Sequence, residues 1–95
     1  MSVYVVDLVT IKDRAKYAAY ENDFRAVIEP FGGKILSVED SARVVEGKWP
    51  SSRTVILWFP SEQAARYWYD CEAYQRLVQL RADAADATIA ILSAR

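Results

Sequence analysis

Residues Val44–Tyr74 read VVEGKWPSSRTVILWFPSEQAARYWYDCEAY, and two periodicities meet within them. Arg53–Phe59 reads as a strand: Val55, Leu57 and Phe59 point one way, Ile56 and Trp58 the other. Both sets are apolar, so both faces of this strand need cover. Pro60 cannot extend the ladder. Ser61 is a good helix N-cap, with Glu62 in the first turn near the positive dipole end. Ala64, Ala65 and Trp68 form the apolar side of that helix. The phase slips at Asp70–Cys71, which predicts a break. A second helical piece follows, with Ala73, Tyr74, Leu77, Leu80 and Ala84 on one face. On the upstream side, Arg43–Glu46 reads as a short strand, and Gly47–Ser52 as the turn that joins it to Arg53–Phe59 in a hairpin.

Working outward, Val3–Ile11 is a strand with Val3, Val5, Val9 and Ile11 on one face and Tyr4, Val6 and Leu8 on the other. Asp7 interrupts the first face. Asp13 caps a helix over Arg14–Glu29 whose stripe is Tyr17, Tyr20, Phe24, Val27, Ile28 and Phe31. Pro30 and Gly32–Gly33 end it. Lys34–Val38 is a strand, with a turn or bulge at Glu39–Ser41 before pairing resumes at Arg43. Ala87–Leu92 is the last strand. The order β-α-β-β-α-β predicts an α+β, ferredoxin-like domain over residues 1–95, with a four-stranded antiparallel sheet and two helices on one face. The other face stays apolar, and a bare patch of that kind needs a partner. A homodimer joined through the sheet faces is the simplest closed solution.

Composition narrows the function classes. The chain has 95 residues, 53% of them hydrophobic, with 12 basic and 13 acidic side chains and a net charge of −1. Without a basic block, a nucleic-acid or membrane-surface partner has no electrostatic support. The apolar runs are too short for a membrane span, and MSVYVVDLVT lacks a basic leader region, so a cytoplasmic location is expected. There is no histidine and only one cysteine. A serine–histidine triad, a haem-ligating histidine and a closed transition-metal site are therefore not expected, and no cofactor is assigned.

Phe31-Gly32-Gly33, Val45-Glu46-Gly47-Lys48-Trp49-Pro50, Phe59-Pro60-Ser61, Trp68-Tyr69 and Glu72-Ala73-Tyr74-Gln75 together resemble the domain-of-unknown-function 1330 family. The resemblance spans almost the whole chain. It implies a dimeric α/β-barrel, two ferredoxin-like sheets packed face to face with the helices outside. That family carries no established activity. The wider superfamily it implies includes cofactor-free monooxygenases, haem-degrading enzymes, muconolactone isomerase-like enzymes and stress-responsive proteins. Cys71 departs from the serine usual there.

Several side chains are candidates for chemistry. Glu46, at a strand end beside the Gly47–Trp49 turn, is a candidate general acid/base, or else pairs with Arg53 across the hairpin. Arg81 falls on the core face with Tyr74 and Leu77 and needs an acid, with Glu46 and Asp7 available; otherwise it snorkels to water. Asp7 is an inward carboxylate of raised pKa or a rim ion-pair partner. Cys71 reads as a cap more than as a nucleophile, there being no base beside it. Tyr69, Tyr74 and Trp49 offer aromatic walls with polar handles, and Arg53 or Arg81 could hold an anion. The reading is a cofactor-free enzyme acting on a small molecule in a pocket between helices and sheet, with Glu46 and Arg81 bordering it. The alternatives are a non-catalytic small-molecule binder or stress-related dimer, and a plain dimerisation module.

Overall fold

The computed structural model describes residues 1–95. The elements run β1 (Val3–Ile11), α1 (Arg14–Asn22), α2 (Phe24–Ile28), a 3-10 turn (Glu29–Phe31), β2 (Lys34–Glu39), β3 (Arg53–Phe59), α3 (Glu62–Asp70), α4 (Glu72–Ala82) and β4 (Ala85–Ser93). The strands form one antiparallel sheet in the order β2-β3-β1-β4, the ferredoxin-like arrangement. Both crossovers lie on one face. There, strand residues Val3, Val5, Val9, Val55, Leu57 and Phe59 share one core with helix residues Tyr17, Tyr20, Phe24, Ile28, Trp68 and Tyr74.

Local chemistry sets each boundary. Asp13 accepts from Lys16 N at 3.1 Å and Ser61 from Ala64 N at 3.0 Å, which caps α1 and α3. Gly32, at φ +77°, turns the chain out of the 3-10 turn. At Gly33 a Cβ would stand 2.7 Å from Phe59 Cε1, so only glycine lets this turn press onto the core. Cys71 ends α3 and begins α4: its backbone N–H donates to Trp68 O, and its Sγ accepts from Tyr74 N at 3.4 Å. The expected break is there, and the thiol serves as the cap.

Three details differ from the sequence reading. The first helix is two, interrupted at Asp23, whose backbone leaves helical geometry while the buried stripe runs on through Tyr20 and Phe24. Ala73 and Leu80 lie outside the core face of α4; Leu80 is 47% exposed, because Tyr74, Leu77 and Arg81 define the inward stripe and Leu80 falls at its margin. The third concerns Arg43–Glu46, which does not pair. The chain leaves the sheet after Glu39, whose carboxylate accepts from Ser41 N. On its return Ser52 docks on β1, donating from its backbone N–H to Val9 O and accepting from Ile11 N. Residues 40–52 are consequently a loop, and Val45 is fully exposed.

Candidate functional site

Strand alternation places Asp7 between Val5 and Val9 on the covered face, opposite Val55 of β3 and Ile89 of β4. The residue is 3% exposed, and its Oδ1 has no hydrogen-bond partner. Burial pushes its carboxyl up to about 6, against the opposing pull of the Arg81 guanidinium. The two form no direct ion pair. Arg81 projects from the last turn of α4 and donates from Nη1 to Tyr74 Oη at 3.1 Å. Its guanidinium stands 5.5 Å from the Tyr20 ring centroid. Tyr74 and Tyr20 share a buried hydroxyl–hydroxyl hydrogen bond of 2.9 Å that ties α1 to α4. Burial raises the pKa of both phenols, so both stay protonated near neutral pH. Asp7, Arg81, Tyr74 and Tyr20 thus form a polar centre inside an otherwise apolar core.

Two clefts flank this centre. One, of about 280 Å³, lies over β1 and β4 beneath the second crossover, lined by Val5, Ile89, Ile91, Trp68, Tyr69 and Arg81 among others. The other, of about 400 Å³, lies over β1, β3 and β2 beneath the first crossover. Asp7, Tyr17, Tyr20, Glu21, Phe24 and Val55 are among its walls. Asp7 and Tyr20 therefore line the larger cleft and Arg81 the smaller, with the Tyr20–Tyr74–Arg81 hydrogen bonds connecting the two sides.

The structure gathers some of the residues singled out in the sequence and scatters others. Arg81 and Tyr74 are bonded, and Tyr69 lines the same cleft as Arg81. Glu46 is on the exposed loop, lines neither cleft and joins no ion pair, so the expected Glu46–Arg81 pocket is absent and Asp7 is the acid beside Arg81. Arg53 does not pair with Glu46 either. The Glu39–Thr54 register puts Asp40 next to Arg53, and Asp40 takes a bidentate pair at 2.6 and 3.0 Å, while Glu21 binds the outer nitrogen. Trp49 lies at neither cleft; its indole N–H donates to Thr54 Oγ1 at 2.8 Å. Sequence reasoning counted Trp68 only within an aromatic lining and did not single out Tyr20 for the polar centre. The signal for Tyr20 was a tyrosine where phenylalanine or leucine would fill the stripe, since a buried hydroxyl demands a partner.

No helix is long and apolar enough to cross a membrane. Comparison with solved structures finds the same fold in several proteins. A protein of unknown function from Rhodopseudomonas palustris matches with TM-score 0.80 at 22% identity, over 99% of this chain and 82% of its own. SnoaB, a cofactor-independent oxygenase from Streptomyces nogalater, matches with TM-score 0.73 at 13% identity, over 99% and 93%. A dimeric ferredoxin-like protein of unknown function from Thermobifida fusca matches with TM-score 0.68 at 10% identity, over 99% and 92%. At such identities the likeness concerns the fold. No curated protein matches the chain. The family model for the domain of unknown function DUF1330 matches residues 2–94, and the chain therefore belongs to that family.

Proposed function

We propose that the protein is a cofactor-free enzyme that moves a proton on a small enolisable or phenolic molecule bound in the larger cleft, with Asp7 as the base. The observation that carries this reading is Asp7 in the lining of that cleft, buried with an Oδ1 that has no hydrogen-bond partner. A carboxyl near 6 is mostly ionised at pH 7 yet basic enough to accept a proton, which is the match general-base catalysis needs. In the step proposed, the Asp7 carboxylate takes the proton from an activated C–H, and the bonding pair moves onto the substrate's carbonyl oxygen as an enolate. Return of the proton at another carbon completes an isomerisation. Arg81, fixed by Tyr74, keeps Asp7 more ionised than burial alone would allow and lowers the energy of negative charge nearby. The fold shared with a cofactor-independent oxygenase supports a small-molecule enzyme of this kind.

The working form is proposed to be a homodimer joined through the uncovered sheet face, in the cytoplasm. Tyr4, Val6, Leu8, Ile56 and Trp58 lie on that face and keep part of their surface exposed. A structural neighbour is itself described as dimeric. The reading is tested by incubating a panel of enolisable aryl ketones in deuterated buffer and following loss of the α-proton signal by NMR. Saturable exchange is expected, rising with pH through about 6 as Asp7 ionises, and lost in a folded Asp7→Asn variant. Exchange unchanged in that variant would remove Asp7 as the base. Binding without any exchange would leave a non-catalytic small-molecule binder.

A further inference from the structure

Two residues that line the smaller cleft carry donors with unused capacity. Trp68 is 2% exposed, and its indole N–H is buried without a partner. That group is a donor only, so no local acceptor role can satisfy it. Arg81 carries five N–H donors, yet its one protein hydrogen bond goes to Tyr74 and it has no carboxylate partner. Both residues line the same cavity. The rest of the wall is largely apolar, from Val5, Ile89, Ile91 and the ring of Tyr69. Two charged groups remain. Arg66 is engaged by Glu62 at 2.8 Å, and Asp70 is the one acidic group in the lining.

We propose that this cleft is a binding site for a small carboxylate on an apolar body, with Arg81 and the Trp68 indole N–H donating to its oxygens. A cationic donor and a neutral donor above an apolar floor complement an anionic head on a hydrocarbon or aromatic body, and nothing else so simple satisfies both. Charge-assisted hydrogen bonds to a desolvated carboxylate are the strong ones, and a buried N–H left unpaired is a standing cost that the ligand removes. The cavity, about 280 Å³, is just below the ordinary range for drug-sized ligands of ~300 Å³ upward, so the ligand is of benzoate or phenylacetate size. Arg81 also acts on Asp7 in the proton chemistry proposed above, but Asp7 itself lines the other cleft, so binding here can be tested without it.

Benzoate is the probe, titrated into protein labelled with ¹⁵N at the tryptophan indoles and followed by NMR, with benzamide and benzylamine as neutral and cationic controls. The Trp68 indole resonance, assigned by its loss in Trp68→Phe, is expected to shift with saturation on adding benzoate. Benzamide should bind at least tenfold more weakly, and benzylamine should give no shift there. Arg81→Gln should weaken benzoate at least tenfold, and Arg81→Lys should restore part of the loss. Asp70→Asn should tighten binding a few-fold by removing the like charge. If Arg81→Gln does not fold by circular dichroism, Trp68→Phe decides, its benzoate affinity read by titration calorimetry, with a several-fold loss expected from the missing N–H alone. Equal binding of benzoate and benzamide, or benzoate affinity unchanged in the folded variants, overturns the site. Asp7→Asn should keep benzoate binding, so failure of the proton chemistry and failure of this site are separable.

Discussion

The two faces of the sheet carry opposite anomalies. The covered face holds a carboxylate at its centre, Asp7, 3% exposed with an oxygen that has no partner. The open face holds Tyr4, Leu8, Ile56 and Trp58 in partial contact with water. A chain selected only for stability would exchange them, placing the acid outside and the apolar groups inside. Each misplaced set supports one part of the proposed function: the buried acid the proposed site, and the bare apolar surface the proposed contact with another copy.

Placing a charge on the open face should have the largest effect. Leu8→Glu puts one unpaired charge from each copy into the proposed interface, where a buried unpaired charge costs about 3–5 kcal/mol. The expected outcome is a folded monomer at micromolar concentration by sedimentation equilibrium. An unchanged dimer would move the contact elsewhere and dissolve the contrast between the faces.

Neutralising the acid on the covered face should do the opposite and stabilise. The Asp7 carboxyl is raised from 3.8 to about 6 in the fold. Between those values the folded protein binds the proton that the unfolded chain has released, so stability rises as pH falls through about 6 and the gain is complete below 3.8. At pH 7 the charged form costs about 3 kcal/mol, so Asp7→Asn should gain up to that amount, less the cost of burying an amide. Denaturant melts at pH 7 and pH 4 check it. A difference between variant and parent that does not shrink at the lower pH would show that the carboxylate is not the source of strain on this face.

The polar centre should give intermediate effects. Tyr20→Phe and Tyr74→Phe each remove a hydroxyl from a buried pair and should cost about 1 kcal/mol each, with Tyr74→Phe the larger because Arg81 also loses its acceptor. The double variant should cost less than the two singles added together. Strict additivity would mean that the two hydroxyls do not act as a unit. Glu46→Gln should change stability by less than about 0.5 kcal/mol, as exposed substitutions do.

Much of this was legible in the residues, and the exceptions have physical causes. Period-two patterning gave both faces of β1 and β3, and the cap residues Asp13, Ser61 and Cys71 gave the helix starts. Asp7 and Arg81 stood out as charges on apolar faces. The break at Asp23 was hidden because the buried stripe passes through it without losing phase. Arg43–Glu46 looked like a strand because alternation reports what a segment would bury, while pairing depends on what lies beside it; β3 begins at Arg53, just past the Glu39–Thr54 pair, and leaves no strand for the segment to join. Glu46 was misplaced because closeness to aromatics in sequence is not closeness in space. The Tyr20–Tyr74 bond joins residues 54 apart, and no local pattern encodes such a contact.

The irregularity in β2 bears on a different hazard. Between Ile35 and Ser37 the register against β3 shifts, so this outer strand does not present an even row of backbone groups. It is also short and begins and ends on charges, Lys34 and Glu39. Edges of that kind resist the strand-to-strand addition that builds fibrils. At the β2 edge the sheet is thereby guarded against open-ended addition, which favours the closed pairing through the apolar face proposed above.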